Sequence, residues 1–271
     1  MNDKSKVLVA CPTFSGMDYC LDIFLDRIKK LSFPSYEILI VDNSDNDTYC
    51  KKINSRGIKC IWDNISEENK LNRLVHSRNL ILDYATENNF DYVLMMDQDV
   101  IPPINIIESL LSSKKDIISG VYLNYFVSSN KTELLPVAWM SISESEFEEM
   151  KSKGIRFHPS VKSHKDLNRH LTQEEFNTSQ ILKVLHPSAG CMLLSRKVFS
   201  NVRYESLDLK KMGFQISKNT TDDLGFRKNA QEQGFEIFID TSVKCDHLVL
   251  GKYIRVNNEL IHPLSLKKEM V

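Results

Sequence analysis

The stretch Tyr92-Val93-Leu94-Met95-Met96-Asp97-Gln98-Asp99-Val100 decides how the rest of the chain is interpreted. It begins with an unbroken apolar run, which is typical of a strand buried on both faces inside a parallel sheet. Asp97 and Asp99 follow at the carboxyl end of that strand, the edge where open α/β sheets bind their ligands. The stretch therefore predicts a central strand that ends in two carboxylates.

The two carboxylates allow two interpretations. Neighbouring acids at one strand end repel each other unless a cation joins them, and carboxylate oxygens suit Mg²⁺ or Mn²⁺. Alternatively, one of the acids caps the turn that precedes Pro102-Pro103. Both interpretations stay open on position alone, because D-x-D is a short and common pattern.

Apolar strands alternate with amphipathic helices on both sides of this stretch. We predict strands at 6–11, 37–41, 58–62, 92–97, 116–123, 184–194 and 235–239, and helices at 17–31, 48–55, 67–88, 104–112, 196–201 and 224–234. Pro12 is expected to end the first strand. The alternation predicts an α/β fold with a mostly parallel sheet and right-handed crossovers.

The domain prediction is a single domain over residues 1–250 with a C-terminal tail at 251–271. Residues 128–180 are more polar and are predicted to form an insertion or lid on the acceptor side. This segment carries three histidines, His158, His164 and His170. Their spacing puts them on no common helix face, so we expect solvated surface there and no metal site.

Composition excludes several classes of protein. The chain has 271 residues, 42% hydrophobic and 26% charged, with a net charge of −1, which gives no electrostatic reason to expect nucleic-acid binding. Its six cysteines form no CxxC pair, so we expect buried free thiols. An apolar leader and an apolar run of about 18 residues are both missing, so we expect a cytoplasmic protein without a transmembrane segment.

Phosphate would have to be held without a glycine loop, because neither GxGxxG nor a Walker A motif occurs. A divalent cation between the acids and a phosphate group would fill that role. Gly190 stands in a predicted strand, where a glycine permits a ligand or another backbone to approach closely.

Six further segments stand before and after this stretch. In chain order they are Val9-Ala10-Cys11-Pro12-Thr13, Ile40-Val41-Asp42-Asn43-Ser44, His76-Ser77-Arg78-Asn79, Ala189-Gly190, Thr221-Asp222-Asp223, and Gly234-Phe235-Glu236-Ile237 followed by His247. Each segment alone is unspecific, but their order and spacing resemble the nucleotide-sugar glycosyltransferases of the GT-A fold, close in layout to glycosyltransferase family 2. One departure is Asp222, which stands where the family usually has glutamate.

The resemblance implies a donor site and a metal site. Residues implied to face the nucleotide are Pro12, Thr13, Asp42, Arg78 and Asp97. Asp99 would hold Mn²⁺ or Mg²⁺, with help from Asp97 and His247, and the cation would neutralise the leaving diphosphate. The alternatives are a helix-surface ion pair for Arg78, with Asp83 or Glu87, and a hydrogen-bonded surface position for His247.

The acid at 223 is the candidate general base. Asp223 would take the proton of the acceptor hydroxyl in an inverting transfer, with Asp222 beside it. The alternative is that either acid only caps the helix that follows. Tyr122, Tyr125 and Trp139 come after the metal strand and could stack on a sugar, although aromatic residues more often belong to the core.

The sequence therefore predicts a metal-dependent glycosyltransferase that moves a sugar from a UDP- or GDP-sugar to a glycan, lipid-linked or small hydroxyl acceptor. Three alternative functions stay open. They are a retaining enzyme on the same fold, a sugar-phosphate nucleotidyltransferase, and a non-catalytic binding domain. Against the second, the turn at 11–16 has no lysine or arginine.

Overall fold

The structure is a computed structural model that describes residues 5–67, 69–128, 131–207, 222–249, 252–254 and 260–261. Its strands are β1 (Val7–Thr13), β2 (Tyr36–Asp42), β3 (Lys59–Trp62), β4 (Tyr92–Met96), β5 (Val100–Ile101), β6 (Ile117–Val121), β7 (Leu123–Ser128), β8 (Lys131–Pro136), β9 (Trp139–Ser141), β10 (Asn168–His170), β11 (Ile181–Lys183), β12 (Cys191–Ser195), β13 (Phe238–Lys244), β14 (Asp246–Val249), β15 (Lys252–Ile254) and β16 (Leu260–Ile261). Its α-helices are α1 (Leu21–Ile28), α2 (Thr48–Ser55), α3 (Lys70–Glu87), α4 (Ile106–Ser112), α5 (Glu144–Ser152), α6 (Gln173–Asn177), α7 (Arg196–Phe199) and α8 (Asp222–Glu232), with 3-10 turns at Ser15–Cys20 and His164–Asp166.

An eight-stranded sheet organises these elements in the order β11-β13-β6-β12-β4-β1-β2-β3. The pairs β4–β1, β1–β2 and β2–β3 are parallel, as is β13–β6. Strand β12 runs antiparallel between β4 and β6, and β11 is antiparallel at the edge. The predicted α/β fold with a mainly parallel central sheet is confirmed.

Strand β4 is buried on both faces, as its apolar run predicts. Leu94 and Met96 belong to one core, which packs against α1, α2 and α4, while Val93 and Met95 belong to a second core under α3, α7 and α8. All four side chains are fully buried, and each such side chain contributes about 1.5–3 kcal/mol through burial. The carboxyl end of β4 is therefore fixed in the middle of the sheet.

Three predicted strands have wrong bounds. The one predicted at 235–239 is β13, which runs from Phe238 to Lys244. Strand β1 continues through Pro12 to Thr13, which pairs with Asp42. Pairing with β4 ends at Ala10, so beyond it β1 needs backbone partners on one side only and tolerates a proline. The strand predicted at 184–194 begins only at Cys191, because Pro187 lacks an N–H and residues 189–190 form a turn.

The segment predicted as an insertion packs against the sheet. Its described part contains the β7–β8 hairpin, the β9–β10 pair and the helices α5 and α6. Leu171 and Phe176 are fully buried in the second core. The prediction of solvated surface is wrong for His170, whose ring packs against Phe126 and Trp139, because the β9–β10 pairing turns that side chain inward.

The C-terminal part of the described chain forms a small antiparallel sheet in the order β16-β15-β14-β5. The predicted tail at 251–271 contributes β15 and β16 to it, and its other residues lie outside the described ranges, as does Thr221. All six cysteines are buried free thiols, as predicted. Among the described helices, none combines the length and the apolar character that crossing a membrane requires.

Candidate active site

A cleft of about 790 Å³ opens at the carboxyl end of β4 and β1. Seven of the predicted site residues line it, namely Pro12, Thr13, Arg78, Asp97, Asp99, Asp222 and Asp223. The remaining two, Asp42 and His247, are not among its lining residues. Because the seven lining residues come from four separate parts of the sequence, the fold brings together most of the site that the sequence suggested.

Asp97 is held in place by backbone contacts at the end of β4. Its N–H donates to the carbonyl of Gly190 (2.9 Å), and its carbonyl accepts from Val100 in the turn that follows (3.0 Å). A Cβ on Gly190 would come within 2.9 Å of Asp97 Oδ2 and of the Tyr122 hydroxyl. The glycine is therefore needed for a close approach, as predicted, and the group that approaches is the Asp97 carboxylate.

A buried guanidinium joins the two acidic parts of the cleft. Arg78 Nη2 lies 2.8 Å from Asp97 Oδ1, and Arg78 Nε forms an ion pair with Asp222 Oδ2. Only 3% of the Arg78 side chain is exposed, and its guanidinium also stands over the ring of Tyr204. The alternative ion pair with Asp83 is not formed, because Asp83 pairs with Arg203. Arg78 thus fixes the end of β4 relative to the start of α8.

Asp99 faces His247 across the other side of the cleft floor. Asp99 Oδ2 lies 3.5 Å from His247 Nε2, while His247 Nδ1 lies 3.0 Å from the carbonyl of Leu123. The carbonyl can only accept, so Nδ1 carries the hydrogen and Nε2 points at Asp99. An imidazole oriented in this way by a backbone carbonyl is typical of metal-ligating histidines.

The charges of these groups shift one another. Burial raises the pKa of Asp97, the Arg78 charge lowers it, and the Asp99 charge raises it again, with a net rise above the usual value. Burial disfavours the charged form of His247, but the hydrogen bond and charge of Asp99 outweigh it and raise the pKa of His247. The rise at Asp97 comes mainly from burial, whereas the rise at His247 reflects the negative charge of Asp99 beside it.

Gln98 is the site residue that the sequence did not suggest. It stands between the two acids, is 1% exposed and accepts a hydrogen bond from the hydroxyl of Thr13. Its amide nitrogen donates to the carbonyl of Met17 (2.7 Å) and to the hydroxyl of Tyr49 (3.0 Å). Gln98 therefore ties the D-x-D turn to the segment after β1 and to α2. The hydroxyl hydrogen of Thr13 is used in this hydrogen bond.

Asp42 lies behind the cleft wall. It is fully buried, and its Oδ1 accepts hydrogen bonds from the N–H (3.0 Å) and the hydroxyl (2.5 Å) of Ser44. Asp42 is not among the residues that line the cleft, and the contact with a nucleotide stays a prediction. Asp42 shapes the turn whose residues Asn43, Ser44 and Asp45 line the cleft.

The two acids at the start of α8 are in different surroundings. Asp222 is 6% exposed and its carboxylate lies on Arg78, which leaves it little freedom to reach an acceptor hydroxyl. Asp223 is partly exposed and lines the cleft. Both stand in the first turn of the helix, where the helix dipole stabilises negative charge. Both acids line the cleft, and Asp223 is the more exposed of the two.

The described residues contain no group of three or more His, Cys, Asp or Glu side chains that could hold a metal ion by themselves. Asp99, His247 and Asp97 offer carboxylate and imidazole donors from two sides. Mg²⁺ and Mn²⁺ are commonly bound by one or two carboxylates together with the phosphates of a substrate. The donor set fits such a cation once a diphosphate supplies further oxygens.

The comparisons with known proteins concern the family and the fold. A family model described as Glycosyl transferase family 2 matches residues 12–203, which include the end of β1, the D-x-D motif and most of the cleft. No curated protein sequence matches the chain.

Among solved structures, S. aureus TarS 1-349 in complex with UDP-GlcNAc aligns with a TM-score of 0.51 and 12% identity, over 89% of this chain and 57% of that one. The mannosyltransferase PcManGT from Pyrobaculum calidifontis in complex with GDP-Man and Mn²⁺ aligns with a TM-score of 0.46 and 14% identity, over 90% of this chain and 57% of that one. CMP:2-keto-3-deoxy-manno-octonic acid synthetase complexed with CTP aligns with a TM-score of 0.46 and 11% identity, over 87% and 89%. With the family match, the TarS likeness confirms the GT-A type of fold.

Proposed function

The chain belongs to glycosyl transferase family 2, and we propose that it moves a sugar from a UDP- or GDP-sugar to a hydroxyl group of a glycan, a lipid-linked acceptor or a small molecule. In this proposal residues 1–250 form one transferase domain, residues 128–180 shape its acceptor side, and 251–271 are an appendage.

The observation that carries the proposal is the convergence of acids on one cleft. Asp97 and Asp99 come from the end of β4 and Asp223 comes from the start of α8, and all three line the same space. Transfer from a nucleotide sugar needs negative charge neutralised at the leaving diphosphate and a base at the acceptor. The acids at the end of β4 could bind a cation at the diphosphate, and Asp223 at the start of α8 could act as the base for the acceptor.

A divalent cation, Mn²⁺ or Mg²⁺, would be held by Asp99 and His247 with Asp97 beside them, and when bound it would neutralise the diphosphate. The protein's own residues prepare this site. The Leu123 carbonyl orients His247, and Arg78 and Gly190 position the carboxylate of Asp97. The nucleotide would lie along the segment after β1 and the turn at 43–45, which form the adjoining wall.

In the proposed reaction an acceptor oxygen attacks the anomeric carbon, while the bond from that carbon to the diphosphate oxygen breaks. The diphosphate leaves with the electron pair, and the acceptor proton goes to the carboxylate of Asp223. Asp223 stands in the first turn of α8, where the helix dipole favours negative charge, and a weak base is sufficient if the proton moves after the sugar–phosphate bond is largely broken. Attack opposite the leaving group inverts the anomeric centre.

We expect one nucleoside diphosphate, UDP or GDP, to raise the melting temperature of the protein in the presence of Mn²⁺. At a concentration of about 100 times Kd, a ligand stabilises the folded state by about 2.7 kcal/mol, which corresponds to a rise of several degrees for a chain of this size. The measurement is differential scanning fluorimetry with each nucleoside diphosphate, with and without Mn²⁺.

A chelator serves as the control, because removing the cation should cancel the shift while leaving the protein without nucleotide unchanged. The absence of a shift with every nucleoside diphosphate, with Mn²⁺ or Mg²⁺ present, would exclude the proposed transferase.

A further inference from the structure

The side of the cleft away from the nucleotide wall has no role in the reaction described so far. Its lining residues are Tyr122, Asn124, Phe126, Val137 and Trp139, which we call the far wall. None of them is charged, whereas Lys70 and Arg73 line the cleft elsewhere. The far wall therefore favours a neutral ligand with both apolar and hydroxyl surfaces.

The far wall extends away from the proposed metal site. Tyr122, Asn124 and Phe126 alternate along an extended segment, so their side chains share one face. The Tyr122 ring packs at 4.9 Å from His247, and its hydroxyl accepts from the N–H of Gly190 (3.2 Å). At about 3.4 Å per residue, Phe126 lies roughly 13 Å further along the strand. That distance exceeds the width of the single sugar ring attached to a diphosphate at Asp99.

Trp139 is the fixed centre of the distal part. Its ring lies 5.8 Å from that of Phe126, nearly perpendicular to it at 89°, 4.7 Å from that of His170 and 5.9 Å from that of His186. The backbone N–H of Trp139 donates to the carbonyl of His186 (3.0 Å), and the backbone carbonyl of Trp139 accepts from the N–H of Leu185 (2.8 Å). The indole is thus held by neighbours from two strands and a loop, and needs no rearrangement to receive a ligand.

The polarity of this region also suits an uncharged ligand. Burial lowers the pKa of His186 to about 4, and the charge of Arg227 acts in the same direction, so that ring is neutral at physiological pH. Asn124 Oδ1 accepts from the N–H of Tyr125 (2.8 Å), which leaves its amide hydrogens for a ligand. The Trp139 indole N–H makes no hydrogen bond to any described residue and is a second available donor.

We propose that the far wall binds a neutral sugar ring of the acceptor, stacked on Trp139 with its edge towards Phe126, and with the Asn124 amide bonded to one of its hydroxyl groups. This inference rests on the proposed function, and it narrows the acceptor from any hydroxyl compound to a saccharide. A rigid aromatic face contacts the C–H side of a sugar ring, and the polar groups at its edge meet the hydroxyls. The donor sugar is a poor occupant because it is tied to the diphosphate.

A single-tryptophan protein tests this directly. The chain has two tryptophans, so Trp62→Phe leaves Trp139 as the only one. We expect a saturable change in its fluorescence when one member of a panel of methyl pyranosides is added at millimolar concentration, with the nucleoside diphosphate and Mn²⁺ present. If the nucleotide binds with Mn²⁺ but no pyranoside changes the fluorescence, the saccharide site is excluded while the proposed function stands. If no nucleotide binds to the wild-type protein either, the proposed function itself fails; the wild type is needed here because the Trp62 indole N–H donates to the carbonyl of Ser44 in the nucleotide wall (2.9 Å).

Variants at Trp139 distinguish an acceptor sugar from a donor sugar. Trp139→Leu should weaken the responsive pyranoside about tenfold by calorimetry, whereas Trp139→Phe keeps a ring and should recover most of the affinity. Both variants should bind the nucleotide sugar as the wild type does. The inference is wrong if Trp139→Leu weakens the nucleotide sugar but not the free nucleoside diphosphate, because Trp139 would then hold the donor. Melting temperatures check that both variants are folded.

Discussion

Asp223→Asn is expected to lower the rate of sugar transfer by about 10²–10⁴-fold, the contribution typical of a general base. The amide has the shape of the carboxylate but cannot accept the acceptor's proton. Asp223 lies in the first turn of α8 and lines the cleft without belonging to the Arg78 ion pairs. The nucleotide site is therefore expected to survive, and Mn²⁺-dependent binding of the nucleoside diphosphate should be unchanged by calorimetry.

The neighbouring acid provides the matched comparison. Asp222→Asn removes one carboxylate from the buried Arg78 pair, and breaking a buried pair costs about 3–5 kcal/mol. This variant should melt at a lower temperature than the wild type. A transfer rate close to that of the wild type in Asp223→Asn would show that Asp223 is not the base and would favour the retaining alternative.

Asp99→Ala is expected to weaken the Mn²⁺-dependent binding of the nucleoside diphosphate by about 100-fold, because it removes a charged oxygen ligand of the cation. Asp99 is the acid that faces His247 Nε2, so the variant leaves the imidazole as the main remaining donor on that side. Calorimetric titration with and without Mn²⁺ measures the effect.

The control for this variant is Asp26→Ala, which removes an exposed acid of α1 that is not among the residues lining the cleft. It should bind nucleotide and Mn²⁺ as the wild type does. Equal Mn²⁺-dependent affinity in Asp99→Ala and the wild type would contradict the assignment of Asp99 as a metal ligand.

The central part of the fold was predictable because its signals are local. The apolar run of β4 identifies a strand buried on both faces, and the acids after it mark the edge where the cleft opens. The order of strands and helices then determines which segments meet at that edge. Pro12 misled the prediction of the strand end, because the sequence does not reveal that β1 loses one of its two partners after Ala10.

The parts of the site that were missed depend on contacts between distant residues. Gln98 looked like a spacer between two acids, yet it bonds to Thr13 and Tyr49 from two other elements. Asp42 looked like a surface acid, yet it is covered by Ser44. No local sequence pattern predicts such contacts, because they form only when the strands lie side by side in the folded sheet.

The segment at 128–180, predicted as an insertion, also has contacts that the sequence does not predict. Its polar composition suggested solvated surface, and its pattern gave no reason to group His170 with Phe126 and Trp139. The β9–β10 pairing brings these rings together. The family resemblance does not predict these contacts, because the structure of this segment depends on how this chain packs.

The most direct test of the account is to identify the phosphate product that the wild-type protein forms with Mn²⁺. Panels of UDP- and GDP-sugars with methyl pyranosides, and of nucleoside triphosphates with sugar 1-phosphates, are incubated with the protein and separated by anion-exchange chromatography. The account predicts that one nucleotide sugar yields its nucleoside diphosphate and a glycosylated acceptor, only with the cation present. Release of pyrophosphate from a nucleoside triphosphate, with formation of a nucleotide sugar, would contradict it.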